Sequence, residues 1–116
     1  MSRRSAAAAS LTEAAPVFAA LGDATRLGLV ARLCAQGPLS IARLSEGADV
    51  TRQAITKHLQ ALADAGVVRD SRRGRERIWQ LDLRSLDKAH RCLDQISAQW
   101  DAAIDRLKAF VEDEES

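Results

Sequence analysis

The stretch Thr51–Val68, TRQAITKHLQALADAGVV, decides how the chain is read. Ile55, Leu59 and Leu62 recur at spacings of three and four, with Ala54, Ala61 and Ala65 filling around them. That period describes an amphipathic helix laid against a core. Thr51 stands where an N-cap is wanted, and Gly66 where the helix stops. The front of this helix is the unusual part. Arg52, Gln53, Thr56 and Lys57 can all donate hydrogen bonds, and none is an acid. A helix N-terminus adds free backbone amides and a partial positive charge. Such a surface suits a partner rich in acceptors.

Working back from Thr51, Ser40 is placed to cap a short helix with Ile41 and Leu44 inward, closed by Gly47. Only the turn from Gly47 to Val50 separates it from the quoted helix, which is helix-turn-helix spacing. Asp23 caps a preceding helix reaching about Gln36, where Gly37-Pro38 stops it. Leu27, Val30, Ala31 and Cys34 form its apolar stripe, which predicts that Cys34 is core. Earlier still, Ser10-Leu11-Thr12-Glu13 has capping-box spacing and predicts a first helix from Ser10 to Gly22, with Pro16 kinking it or marking its true first turn. Residues 1–9 are small and polar and are expected to be disordered.

Working forward, Val67 to Arg73 alternates loosely, Gly74-Arg75 can turn tightly, and Glu76 to Leu81 returns. This is a β-hairpin directly after a helix-turn-helix, the arrangement of a winged helix. Arg72, Arg73, Arg75 and Arg77 crowd its tip. Arginine forks bind phosphate oxygens in pairs, and a hairpin of this kind can lie along a phosphate backbone. From about Ser85 to Val111 a long helix carries Leu86, Leu93, Trp100 and Leu107 every seventh residue, with Ile96, Ile104 and Phe110 between. A seam of that length on a small domain wants a partner helix, and a two-fold dimer is the expected answer, built on Leu93, Ile96, Trp100, Ile104 and Leu107 with part of the first helix.

Composition fits this outline. The chain has 116 residues, enough for one domain with a modest core, and its net charge is only +1. The distribution is more telling than the sum. Residues 51–77 hold seven basic groups against three acidic ones, whereas residues 78–116 hold five against nine and end in an acidic tail, 112–116. A basic centre suits a polyanion. MSRRSAAAAS lacks the apolar core of a signal peptide, no apolar run approaches a membrane span, and two distant cysteines suit a reducing compartment. The expectation is a cytoplasmic protein that makes no membrane contact. The division expected is a helix-turn-helix domain over 10–84 and a dimerisation helix over 85–111.

Three stretches carry a family resemblance over Val17 to Phe110. They are Phe18-Ala19-Ala20-Leu21-Gly22-Asp23-Ala24-Thr25-Arg26-Leu27, then Thr51 to Leu59, then Ala65-Gly66-Val67-Val68. Together they resemble the ArsR-type (arsenic-repressor-like) winged helix-turn-helix regulators. The resemblance implies a mainly α fold with a small β-hairpin wing, a homodimer through terminal helices, and binding to an inverted repeat in double-stranded DNA, usually as a repressor. It places the recognition helix at Thr51–Ala65, and the donor pattern puts the expected DNA contacts on Thr51, Arg52, Gln53, Thr56 and Lys57, with His58 at the edge and the wing arginines Arg72, Arg73, Arg75 and Arg77 beside them.

The family's metal chemistry does not carry over. Ser40 and Ala42 stand where many members place thiolates, and Asp87 and His90 lack the spacing and the second histidine of a zinc site. No metal and no cofactor is therefore expected. Some members sense oxidants or reactive sulfur with one cysteine on the second helix and one on the last. Cys34 and Cys92 have that coarse placement, so a thiol-sensing repressor is an alternative. A winged helix used for protein–protein contact is another, although the exposed face of residues 51–60 has no aromatic anchor. No phosphate loop, and no Ser or Cys with a matching His base, suggests an enzyme.

Overall fold

The computed structural model describes the backbone of residues 3–115 and the side chains of residues 11–114. In chain order the elements are α1 (Arg3–Leu21), α2 (Ala24–Gln36), β1 (Leu39–Ser40), α3 (Ile41–Ser45), α4 (Arg52–Asp64), β2 (Val68–Arg73), β3 (Glu76–Leu81) and α5 (Leu83–Glu115). Each predicted helix is present, and the hairpin has the predicted turn. The architecture is a winged helix-turn-helix, as the sequence predicts.

Local chemistry sets the boundaries. Asp23, Ser40 and Thr51 each accept a hydrogen bond from the backbone N–H three residues on, capping α2, α3 and α4. The end of α4 is a Schellman motif, with Val67 N–H bonded to Leu62 O and Gly66 N–H to Ala63 O, both at 2.9 Å. Leu62 and Val67, the pair such a motif brings together, are both fully buried. Gly66 lies at φ 79°, and a Cβ there would come within 2.9 Å of the Ser85 hydroxyl on α5. This glycine thus lets α4, β2 and the start of α5 meet.

The core gathers Leu29, Val30 and Leu33 from α2, Leu44 from α3, Ile55, Leu59 and Leu62 from α4, and Trp79 from β3. Trp79 is 1% exposed and anchors the sheet, whose strand order is β1-β3-β2. The short strand β1 was not legible in the sequence. It places Leu39 opposite Trp79 and Ser40 opposite Ile78, tying the start of α3 to the hairpin.

Three expectations need correction. First, α1 starts at Arg3, so Ser10 lies inside a helix and does not cap one. The alanine run at 6–9 has the highest intrinsic helix propensity and carries the helix past the capping-box signal. Met1 and Ser2, part of the segment expected to be disordered, lie outside the described residues. Second, the inward face of α2 keeps Val30 but is rotated from the expected stripe. Leu29, Val30 and Leu33 are buried, while Leu27 is 51% exposed and Ala31 and Cys34 face out. Both stripes have helical spacing, and the one with the larger side chains won the core. Third, α5 is longer at both ends than the span 85–111.

The molecule is elongated. Its radius of gyration is 19.3 Å, whereas a compact chain of this length would have about 13 Å. The excess belongs to α5, whose 33 residues extend roughly 50 Å. α1 packs along its first part. Beyond Ile96, every described side chain of α5 is exposed. Among the described residues no single helix is long and apolar enough to cross a membrane.

Candidate nucleic-acid interface

α2 organises the helix-turn-helix through two arginines. The Arg32 guanidinium donates to Leu44 O and Arg43 O at the end of α3, both at 3.0 Å, the second shared with the Glu46 N–H. Arg26 acts at the other end of α2, where its Nε donates to Ala20 O of α1 at 2.6 Å. These bonds hold α1 and α3 at fixed places on α2, and α4 packs against the same helix.

At the front of α4 the Thr51 hydroxyl accepts from Ala54 N–H at 3.1 Å. Arg52, Gln53 and Lys57 are exposed, and none of their side chains has a hydrogen bond or ion pair among the described residues. Thr56 is half-buried and its hydroxyl donates to Arg52 O at 3.0 Å. Gln60, one turn on, is occupied with Asp64 at 3.1 Å. His58 stands apart from this group. It is half-buried, with Nδ1 3.5 Å from Arg26 Nη1 and 4.0 Å from Asp23 Oδ1. The Asp23 carboxyl is held below the usual carboxylate range, chiefly by the Arg26 N–H it caps.

The hairpin divides its arginines into two sets. Arg72, Arg73 and Arg75 are exposed, and their side chains have no hydrogen bond or ion pair among the described residues. Arg77 is engaged within the hairpin. Its Nε donates to Asp70 at 2.5 Å, and its guanidinium lies 4.6 Å from the Trp79 ring centroid. That hydrogen bond is the main reason the Asp70 carboxyl is held low. Arg69 is engaged as well, since the Gln80 amide oxygen, once turned toward it, accepts from Arg69 Nε at 2.8 Å. Residue type alone did not foretell this division, because strand register decides which arginine meets an acid. Among the described residues, cations without an ion pair cluster at the first turns of α4 and the tip of the hairpin, and others (Lys88, Arg106 and Lys108) are spread along α5.

Along α5, Leu93, Trp100, Ile104 and Leu107 are exposed, while Ile96 is half-buried. Cys92 is 2% exposed and Cys34 is exposed, so the expectation that Cys34 belongs to the core is corrected; both thiols are free. Among the described residues no three His, Cys, Asp or Glu side chains converge as metal ligands would. The Ser40 hydroxyl caps α3, Asp87 pairs with Arg91 at 2.9 Å, and His90 lies 3.4 Å from Asp94.

Known proteins share this fold. A family model described as a helix-turn-helix domain matches residues 21–70. The HTH-type transcriptional regulator Rv2034 of Mycobacterium tuberculosis is 35% identical over 95 residues, covering 82% of this chain and 85% of that protein. An ArsR-like transcriptional regulator from Rhodococcus sp. RHA1, whose structure is solved, is 36% identical with a TM-score of 0.72, over 88% of this chain and 95% of its own. A homodimeric winged helix-turn-helix DNA-binding domain from Mycobacterium bovis shares the fold, with a TM-score of 0.60 at 24% identity over 91% of this chain and 93% of its own. Fold, motif positions and these relatives agree: the chain belongs to the ArsR-type winged helix-turn-helix family, whose members are DNA-binding transcriptional regulators and not enzymes.

Proposed function

We propose that the protein acts in the cytoplasm as a homodimeric repressor on an inverted-repeat operator, without metal sensing. α4 would enter the major groove, where Gln53 and Thr56 meet base edges and Thr51, Arg52 and Lys57 hold phosphates and the groove rim. Arg72, Arg73 and Arg75 would track the backbone beside it, with Arg77 bracing the hairpin from behind. Dimerisation through α5, joined by part of α1, would set two copies of α4 about one helical turn apart on one side of the duplex. The dimeric state of the Mycobacterium bovis protein of the same fold supports that arrangement.

One observation supports the reading above the others. Among the described residues, the basic side chains of the α4 front and the hairpin tip form no ion pair, and only Arg72 feels a nearby carboxylate, Asp70, although the chain holds 16 acidic residues. Cations left unpaired in a chain so well supplied with carboxylates suit an external polyanion. Binding to random duplex DNA across a salt series tests it. Arg75→Ala is expected to weaken binding on all sequences and to flatten the log-affinity against log-salt slope by about one counterion. An unchanged slope removes the hairpin from the interface.

A further inference from the structure

The segment Leu21-Gly22-Asp23-Ala24-Thr25-Arg26 has more in it than a helix cap. Arg26 has a side chain that reaches both a C-terminal carbonyl of α1, Ala20 O, and a side chain of α4, His58. Its Nε donates to Ala20 O at 2.6 Å, and its Nη1 lies 3.5 Å from His58 Nδ1. Asp23 completes the corner, capping α2 through Arg26 N–H at 3.0 Å and facing His58 at 4.0 Å. Ala20 is in the last turn of α1, the helix that packs along α5. One planar guanidinium thus touches the end of the helix that packs on α5 and the middle of the helix that carries Gln53 and Lys57.

We propose that Arg26 and His58 are positioning residues for DNA recognition: the Arg26 fork, held by Ala20 O, fixes the attitude of α4 relative to α1 and α5 through the His58 imidazole. His58 then acts from behind the helix, and not as a DNA contact. The geometry favours this role. His58 is half-buried against α2, whereas Arg52, Gln53 and Lys57 are exposed. With the His58 proton on Nε2, Nδ1 is an acceptor, and arginine suits the corner because its separate N–H groups reach it and Ala20 O at once, which a lysine ammonium on one flexible stem does less well. A dimer reading two half-sites needs both copies of α4 held at one angle, so slack at this corner weakens base reading before it weakens phosphate binding.

The inference rests on the DNA-binding reading, and its test separates the two. Wild type, Arg26→Lys, His58→Leu, His58→Gln and the double variant Arg26→Lys/His58→Leu are compared on a duplex selected from a random pool by the wild type, and on random duplex. Molecular mass and thermal midpoint are recorded alongside. Arg26→Lys and His58→Leu are each expected to reduce the ratio of selected to random affinity roughly tenfold, with mass unchanged, and the double variant to reduce it no further than either single one. His58→Gln, which keeps an acceptor for Arg26, is expected to restore most of the ratio. Equal weakening on both duplexes with a flatter salt slope for His58→Leu would make His58 a phosphate contact and overturn the proposal. So would additive effects in the double variant, or a ratio that follows only the thermal midpoint. A wild type that retains neither duplex overturns the DNA-binding reading itself, and is recognisable as such because the variants then play no part.

Discussion

Gln53 and Thr56 differ in what they can offer a base. The Gln53 amide is exposed and has no partner among the described residues, so both its donor and its acceptor are available. The Thr56 hydroxyl proton is committed to Arg52 O, which leaves an oxygen lone pair and a methyl group. Gln53 is therefore the better reader and Thr56 the better apolar neighbour for a thymine methyl. Gln53→Ala is expected to change the ranking of operators, by roughly 1–3 kcal/mol for each base that the amide no longer reads. Competition between single-base operator variants measures it, and uniform weakening of every variant would make Gln53 a positioning group. At this scale the sequence was readable where exposure follows from residue type and helical period, as with the outward-facing donors Arg52, Gln53 and Lys57. It was not readable where function follows from a neighbour. Nothing in the composition of Arg69 to Arg77 says that Arg77 belongs to Asp70 and Trp79 while Arg72, Arg73 and Arg75 stay free.

The hairpin and the helices fared differently as elements. Caps at Asp23, Ser40 and Thr51 were legible because their signal is local, a side-chain oxygen three residues ahead of a backbone donor. The inward face of α2 was not, because two apolar stripes of equal period compete and only the packing partner chooses between them. β1 escaped notice for a related reason. Its two residues become a strand only because β3 arrives beside them. The turn of the hairpin is set by Gly74 at φ 60° followed by Arg75 at negative φ, the type II′ pattern that matches the twist of paired strands. Gly74→Val is expected to cost about 1–2 kcal/mol through left-handed strain, read as a lower thermal midpoint. Because the strain splays the tip that carries Arg73 and Arg75, DNA affinity should fall by more than in Arg75→Ala. Affinity equal to wild type would show that the tip does not touch the duplex.

For the whole molecule, the decisive feature is apolar surface left in water. Trp100, Ile104, Leu107, Phe110 and Val111 lie on the overhanging half of α5, each between 45% and 68% exposed. Burying a large apolar side chain completely is worth roughly 1.5–3 kcal/mol, so covering this seam supplies several kcal/mol for association. The seam runs past the end of the domain, out of reach of the chain's own core, which suits the proposed second copy. Its seven-residue spacing was visible in the sequence; that Leu86 packs on the domain while Trp100 and Leu107 project beyond it was not. Trp100→Glu is expected to turn the dimer into a monomer and to lower DNA affinity steeply, since each chain then meets a single half-site. The most direct measurement is the mass of the wild-type particle in dilute salt, followed by sedimentation with and without duplex DNA. Two chains free in solution, and two chains per duplex when DNA is added, are the expected result. A single chain whose sedimentation duplex DNA leaves unchanged would contradict it.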